Sequence, residues 1–336
     1  MKEKMFPFVD ILIVTYNGKK YLSGCLASLQ ELTYPKDRYI ITIIDNASSD
    51  GTLSVVEQNT NNFIKIIKNN KNLGFGKANT IGIKAAPAET KYIVLLNQDS
   101  LVAPEWLTEL VDTMEKNPKA GACGATQKDY NQYKKITTGE KRIKECIWMG
   151  CGSIILRKEA LDQIGYFDPY YFMYVEDIDI TWRLKIVGWD ILHTFNALWF
   201  HEGRDRKLTY ANKRLYWAWK NRIYLLIKFG SWRQIRESCF FYYALLTKKY
   251  PVIDKKQDRK EEDKGRKDSH DKKNHVKEKE STILWKLIFL CKLFFSLPFV
   301  IPYALAARRK LRIQFSLDSQ EVDSWIRYVD RVLIED

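Results

Sequence analysis

Asp99 stands at the end of an apolar run, in Leu95-Leu96-Asn97-Gln98-Asp99. A carboxylate so placed is a candidate ligand for a hard divalent cation, which takes oxygen donors and bridges phosphates. Ser100 and Pro104 allow a second reading, a carboxylate at the start of a helix. Further along, Glu176-Asp177-Ile178-Asp179 sets three acids in four residues at the head of an amphipathic stretch. A carboxylate at a helix N-terminus is ordinary, because it meets the positive end of the helix dipole, but three exceed that need. A hydroxyl group is a poor nucleophile at neutral pH, and a clustered carboxylate can act as the base that takes its proton. His201 follows the run Ala197-Leu198-Trp199-Phe200 and precedes Glu202-Gly203-Arg204, which makes it a candidate metal ligand or phosphate contact beside a structural reading.

Gly74-Phe75-Gly76-Lys77-Ala78-Asn79 is a glycine turn opening a helix, suited to backbone contacts with a diphosphate or the sugar it carries. It lacks the third glycine of a dinucleotide fingerprint and does not follow the first strand, and the sequence has no Walker lysine loop. Hydride transfer and P-loop chemistry are therefore poor matches.

These residues need a frame. Strands are expected at Val9 to Val14, Tyr39 to Ile44, Ile64 to Ile67 and Lys91 to Leu96, with helices at Lys20 to Glu31, near Gly76 to Ala85, and from Pro104 to Lys116. Continuous apolar strands alternating with helices predict an α/β fold whose parallel sheet is buried on both faces. In such a sheet the ligand crevice lies beyond the carboxyl ends of the strands. The residues there are polar: Thr15-Tyr16-Asn17, Asp45-Asn46-Ala47-Ser48-Ser49-Asp50-Gly51, Asn69 to Gly74 and Asn97 to Ser100. Beyond Gly121 the pattern is less regular, and Tyr210 to Phe229 is expected to be a helix.

The 336 residues, 46% of them hydrophobic, suffice for a catalytic domain, and the net charge of +14 is compatible with phosphorylated ligands or acidic membrane surfaces. No nucleic-acid partner is expected. Six cysteines without a CxxC pair, and no apolar leader after Met1-Lys2-Glu3-Lys4, favour a cytoplasmic setting with the thiols as small buried residues. The organisation expected is a catalytic domain over 1–229 (a nucleotide half to 103, an acceptor half after it), a helical extension over 230–253, a charged linker over 254–280, and an apolar helix with its tail over 281–336. Ile283 to Ala307 is long enough to span a bilayer, but Lys286, Lys292, Pro298 and Pro302 favour an interfacial or kinked helix; docking on the membrane surface is expected, with a spanning helix or a soluble packed helix as alternatives, and Arg308-Arg309-Lys310 would face anionic lipid in either membrane reading.

Taken in order, Val14-Thr15-Tyr16-Asn17, Asp45 to Gly51, Asn72-Leu73-Gly74-Phe75, Leu96 to Asp99, Gly165-Tyr166-Phe167-Asp168, Glu176 to Asp179 and Lys220-Asn221-Arg222 resemble the family 2 glycosyltransferases of GT-A fold. The likeness runs from about Val9 to Leu226 and is strongest to the rhamnosyltransferase-like branch. It implies a mixed, mostly parallel sheet flanked by helices, with a helical C-terminal extension. It implies that Thr15, Asn17, Asp45, Asn72, Gly74 and Asn97 line the nucleotide site, and that Asp99 and His201 hold Mg²⁺ or Mn²⁺. Asn97 replaces the first acid of the family's DxD pair, which makes His201 more necessary. Asp177 matches the base, with Glu176 and Asp179 positioning the acceptor. The implied reaction is inverting transfer from dTDP-rhamnose or a UDP-sugar, UDP-galactofuranose included, to a hydroxyl of a lipid-linked or cell-surface glycan or glycolipid. A silent sugar-nucleotide-binding scaffold is the alternative; a processive synthase is disfavoured by the lack of a Gln-x-x-Arg-Trp motif.

Overall fold

The computed structural model describes residues 5–58, 63–136, 138–202, 208–231, 233–234, 295–313 and 322–326. Its contacts divide into two compact units, Met1–Ala218 and Trp219–Asp336. The expected helical extension over 230–253 lies almost wholly outside the described residues, as do the charged linker over 254–280 and residues 283–294 of the apolar segment.

The first unit begins with β1 (Phe8–Thr15), α1 (Lys19–Gln30), β2 (Tyr39–Asp45), α2 (Thr52–Gln58), β3 (Ile64–Lys68), α3 (Phe75–Lys84) and β4 (Thr90–Leu96). Then come β5 (Ser100–Val102), α4 (Trp106–Lys116), β6 (Ala120–Asp129), β7 (Ile143–Glu145), β8 (Ser153–Arg157), α5 (Lys158–Ile164), α6 (Glu176–Ile186), β9 (Asp190–His201) and α7 (Leu208–Phe229). The division between the units falls inside α7. The strands form one sheet in the order β3-β2-β1-β4-β8-β6-β9-β5, with β7 on β9. β1 pairs in parallel with β2 and β4, as do β2 with β3 and β6 with β9; the other pairs are antiparallel. The parallel character expected of the first hundred residues thus holds there, and the second half is where the sheet becomes mixed.

Period-two alternation in β1 sends Val9, Ile11 and Ile13 to one face and Leu12 to the other. The first face meets Leu22, Leu26 and Leu29 of α1 and Trp106, Leu107 and Leu110 of α4. The second meets Ala78 and Ile83 of α3, Leu161 of α5, and Ile180 and Leu184 of α6. Helices on both sides leave only the strand ends open to ligand. Strand order reverses at β1, so the crevice between the carboxyl ends of β1 and β4 is the natural binding place.

Candidate active site

At the end of β4, Asp99 does not open a helix: it is followed by β5, and α4 starts only at Trp106. The helix-start reading of this carboxylate is therefore set aside. β5 pairs antiparallel with the end of β9, placing Ser100 opposite His201. As a result His201 Nε2 lies 3.2 Å from Asp99 Oδ1, although the two are 102 positions apart. The Glu202 N–H donates to the Asp99 carbonyl at 3.2 Å and ties the two strand ends together. Asp99 is 7% exposed. One carboxylate oxygen and one imidazole nitrogen this close form a mixed O/N donor pair that fits Mg²⁺ or Mn²⁺. Among the described residues no group of three or more His, Cys, Asp and Glu could hold a metal.

Behind this pair, the carboxyl end of β1 is fixed by a residue that the sequence did not single out. Gln98 Oε1 accepts from the Thr15 hydroxyl at 2.5 Å and from the Tyr16 N–H at 3.1 Å. Thr15 lies beside Asp45 in the sheet register. Asp45 Oδ2 accepts from the Ser48 N–H at 3.1 Å, while Oδ1 is buried without a partner. Asn17 accepts from the Ser49 N–H through its side chain, and its own N–H donates to Ser48 Oγ, both at 2.9 Å. Thr15, Asn17 and Asp45 are thus brought together as the wall of one loop cluster.

The glycine turn has another use. Phe75 N–H donates to the Phe172 carbonyl at 2.9 Å, so it is not available to a diphosphate. Gly74 sits at φ 80°, and a Cβ there would lie 2.1 Å from the Phe172 carbonyl oxygen. Asn72 Oδ1 accepts from Gly74 N–H at 2.9 Å and shapes the turn. Asn72 and Gly74 thus form a backbone dock for the segment leading into α6. That segment is strained: Tyr174 and Val175 both take positive φ, 71° and 72°, immediately before the acids.

The acids on α6 have unequal surroundings. Asp179 is fully buried, its Oδ2 2.7 Å from Arg183 Nε, with Tyr171 Oη donating to Oδ1 at 3.4 Å. Arg183 also donates to the carbonyls of Ile164 and Tyr166, at 2.9 and 2.6 Å. Asp179 thereby anchors α6 to the end of α5, where Gly165 takes the left-handed cap conformation, and its burial turns it away from the crevice. Asp177 remains partly exposed, with Oδ1 accepting from Ile178 N–H at 2.9 Å. Glu176 is buried, and its Oε2 has no partner. Burial pushes both carboxyls above the ordinary range, and the Asp177 charge pushes Glu176 further.

Gly150-Cys151-Gly152, also missed in the sequence, joins the two groups of residues. Asn97 N–H donates to the Gly152 carbonyl at 2.9 Å, and a Cβ at Gly150 would lie 3.9 Å from Asp177 Oδ2. A Cβ at Gly152 would meet the Trp199 ring at 2.7 Å, so the glycine admits that ring, whose centroid is 5.2 Å from that of His201. Two glycines flanking a cysteine just ahead of a buried strand were the available signal. The thiols themselves are inert: burial raises those of Cys25 and Cys123 to about 12, and that of Cys151 well above its ordinary value.

The chain is 26% identical over 248 residues to an N-acetylglucosaminyl-diphospho-decaprenol L-rhamnosyltransferase of Mycobacterium tuberculosis, across 60% of this chain and 80% of that protein. It is also 26% identical over 255 residues to a poly-beta-1,6-N-acetyl-D-glucosamine synthase of Staphylococcus epidermidis, across 71% of this chain and 60% of that one. Solved structures of similar fold include a mannosyltransferase of Pyrobaculum calidifontis in complex with GDP-Man and Mn²⁺, with TM-score 0.53, 16% identity, and coverage of 98% of this chain and 81% of that one. TarS of S. aureus in complex with UDP-GlcNAc gives TM-score 0.54 at 18% identity, over 66% of this chain and 65% of that one. The sequence model of glycosyl transferase family 2 matches residues 10–181, more than half of the chain, and the protein is a member of that family, a glycosyltransferase of GT-A fold that uses nucleotide sugars.

Proposed function

We propose that this enzyme performs a single inverting displacement, moving a sugar from dTDP-rhamnose or a UDP-sugar to a hydroxyl of a lipid-linked or cell-surface glycan. The observation that carries this reading is the Asp99–His201 pair, 3.2 Å apart at the strand ends, with Asp177 against the Gly150–Gly152 span that also holds Asn97. Asp177 is the base. Its raised proton affinity lets it accept a proton from an acceptor hydroxyl as that oxygen attacks the anomeric carbon. Glu176, buried beside Asp177 and likewise raised in proton affinity by burial, offers the acceptor a hydrogen bond. Asp45 Oδ1, buried and without a partner, is the acceptor atom suited to the ribose or base.

Asp99 and His201 are the residues that would hold Mg²⁺ or Mn²⁺, which when bound offsets charge gathering on the departing diphosphate. The rhamnosyl donor and the lipid-linked acceptor are supported by the name of the mycobacterial relative. A lipid-linked acceptor would place the enzyme on the cytoplasmic face of a membrane, where soluble donor and anchored acceptor meet.

The test is a donor panel with Mn²⁺, following nucleoside diphosphate release and the mass of the acceptor product. Asp177→Asn should lower transfer by at least about a thousandfold while nucleotide affinity stays within about twofold. Loss of nucleotide binding instead would remove Asp177 from the base role. His201→Ala should raise the Mn²⁺ concentration needed for half-maximal activity by about 10–100-fold, and an unchanged Mn²⁺ dependence would remove His201 from the metal. In the wild type, transfer should fall on acidification at a pH above the ordinary carboxylate range of about 4, because protonated Asp177 cannot act as a base.

A further inference from the structure

In the second unit, residues 295–313 form a helix, α8. Val300, Ala304 and Leu311 are buried, 2%, 0% and 6% exposed, and at helical spacing they make one packed stripe. Phe299, Pro302, Ala306 and Ile313 fall on the opposite side of the same helix, where Phe299 and Ile313 are 80% and 77% exposed. Ile301 and Leu305, which flank that stripe, are exposed as well. α8 therefore carries two apolar faces, and among the described residues only one is packed. A surface helix in water needs only the packed one.

The last turn is basic and divided by task. Arg308 points inward and donates to the carbonyls of Ile227, at 2.9 Å, and Gly230, at the end of α7. Arg309, Lys310 and Arg312 are exposed and, among the described residues, have no acidic partner. Pro302 adds a constraint on depth. It has no N–H, so the Pro298 carbonyl loses its helical partner. An unmet carbonyl is costly in dry hydrocarbon but is readily met by water at headgroup level. No helix among the described residues is long and apolar enough to cross a membrane.

We propose that α8 docks this enzyme on an anionic lipid bilayer, with the Phe299–Ile313 stripe in the headgroup boundary and Arg309, Lys310 and Arg312 on lipid phosphates. Charge complementarity selects this occupant: the exposed Arg309, Lys310 and Arg312 beside the stripe, in a protein of net charge +14, match an anionic surface and not a second basic chain. The inference does not rest on the sugar-transfer reading, since docking needs neither Asp99 nor Asp177.

The full chain is sedimented with vesicles of phosphatidylcholine alone or mixed with phosphatidylglycerol. Binding is expected to the mixed vesicles and to fall steeply with added salt. Arg309→Ser with Lys310→Ser and Arg312→Ser should lower partitioning by about 100-fold, and Phe299→Asp with Ile313→Asp by at least about tenfold. Asp177→Asn should bind like the wild type, which separates failure of this proposal from failure of the catalytic one. The serine variant removes no packed apolar contact, so the test survives if the aspartate variant fails to fold. Wild-type vesicle binding by both α8 variants would overturn the proposal. So would a dimer, seen by light scattering, that the aspartate variant splits while vesicle binding is unchanged.

Discussion

Asp177 and Asp179 lie two positions apart on one helix, and burial assigns them opposite work. Asp179 has no exposure and an arginine at 2.7 Å, so its charge is neutralised inside the protein and unavailable to a substrate. Asp177 is only partly buried, beside Gly150, and among the described residues has no such partner. Replacing Asp179 by Ala leaves Arg183 buried without its counterion, a loss of about 3–5 kcal/mol for a pair of this kind. Chemical denaturation should show that loss directly; a wild-type midpoint would mean that the Ile164 and Tyr166 carbonyls suffice for Arg183. Three acids in four residues do reveal a cluster in the sequence. Which of them faces the crevice depends on Arg183 and on the end of α5, and neither is marked by spacing within the cluster.

At the scale of elements, the site depends on pairings that cross the chain. Between Ala125↔Thr194 and Thr126↔Leu198 the register of β9 against β6 shifts, with β9 advancing four positions while β6 advances one. Three extra residues, an odd number, reverse which face the following side chains occupy. The facing of His201 is therefore set by this irregularity, which periodicity could not disclose. The early strands were legible because Val, Ile and Leu fill both faces of β1, β2 and β4. β6 was not, because its Gly121 and Gly124 have no strand preference of their own; a Cβ at Gly121 would lie 2.7 Å from that of Trp189, and one at Gly124 would meet Met149 Sδ at 2.2 Å. Likewise Gly74 reads as a phosphate turn until Phe172 is seen against it. Gly74→Ala should cost about 1–3 kcal/mol through its positive φ alone, with more from the Phe172 carbonyl. Transfer should fall with stability, because Phe172 begins the run that aims α6. Melting curves beside assays of the variant check both, and a stable variant of normal activity would leave the dock without consequence.

The sheet carries a buried carboxyl in mid-strand, apart from Asp45 at the end of β2. Asp10 lies in β1 with no exposure, and neither oxygen has a hydrogen-bond partner; the Thr42 hydroxyl faces it short of bonding geometry. Burial raises its pKa to about 7, with Thr42 and Lys65 drawing it back only in part. The unfolded chain releases the same proton near pH 4. Between these values the folded state binds the extra proton, so stability falls as pH rises across the window and is unaffected by this group above it. Full expression of the shift would make the fall on the order of 4 kcal/mol. Glu176 and Asp177 act in the same sense, since their pKa values are raised too. Asp10→Asn removes one of the three contributions and leaves the others. Urea unfolding of wild type and variant at pH 5 and pH 8 should therefore give a shallower decline for the variant, with the difference between the proteins growing toward pH 8. Parallel declines would mean that water or sheet relaxation accommodates the Asp10 charge. A shallower decline would show that the sheet's interior is dry enough at β1 to hold a carboxyl in its neutral form.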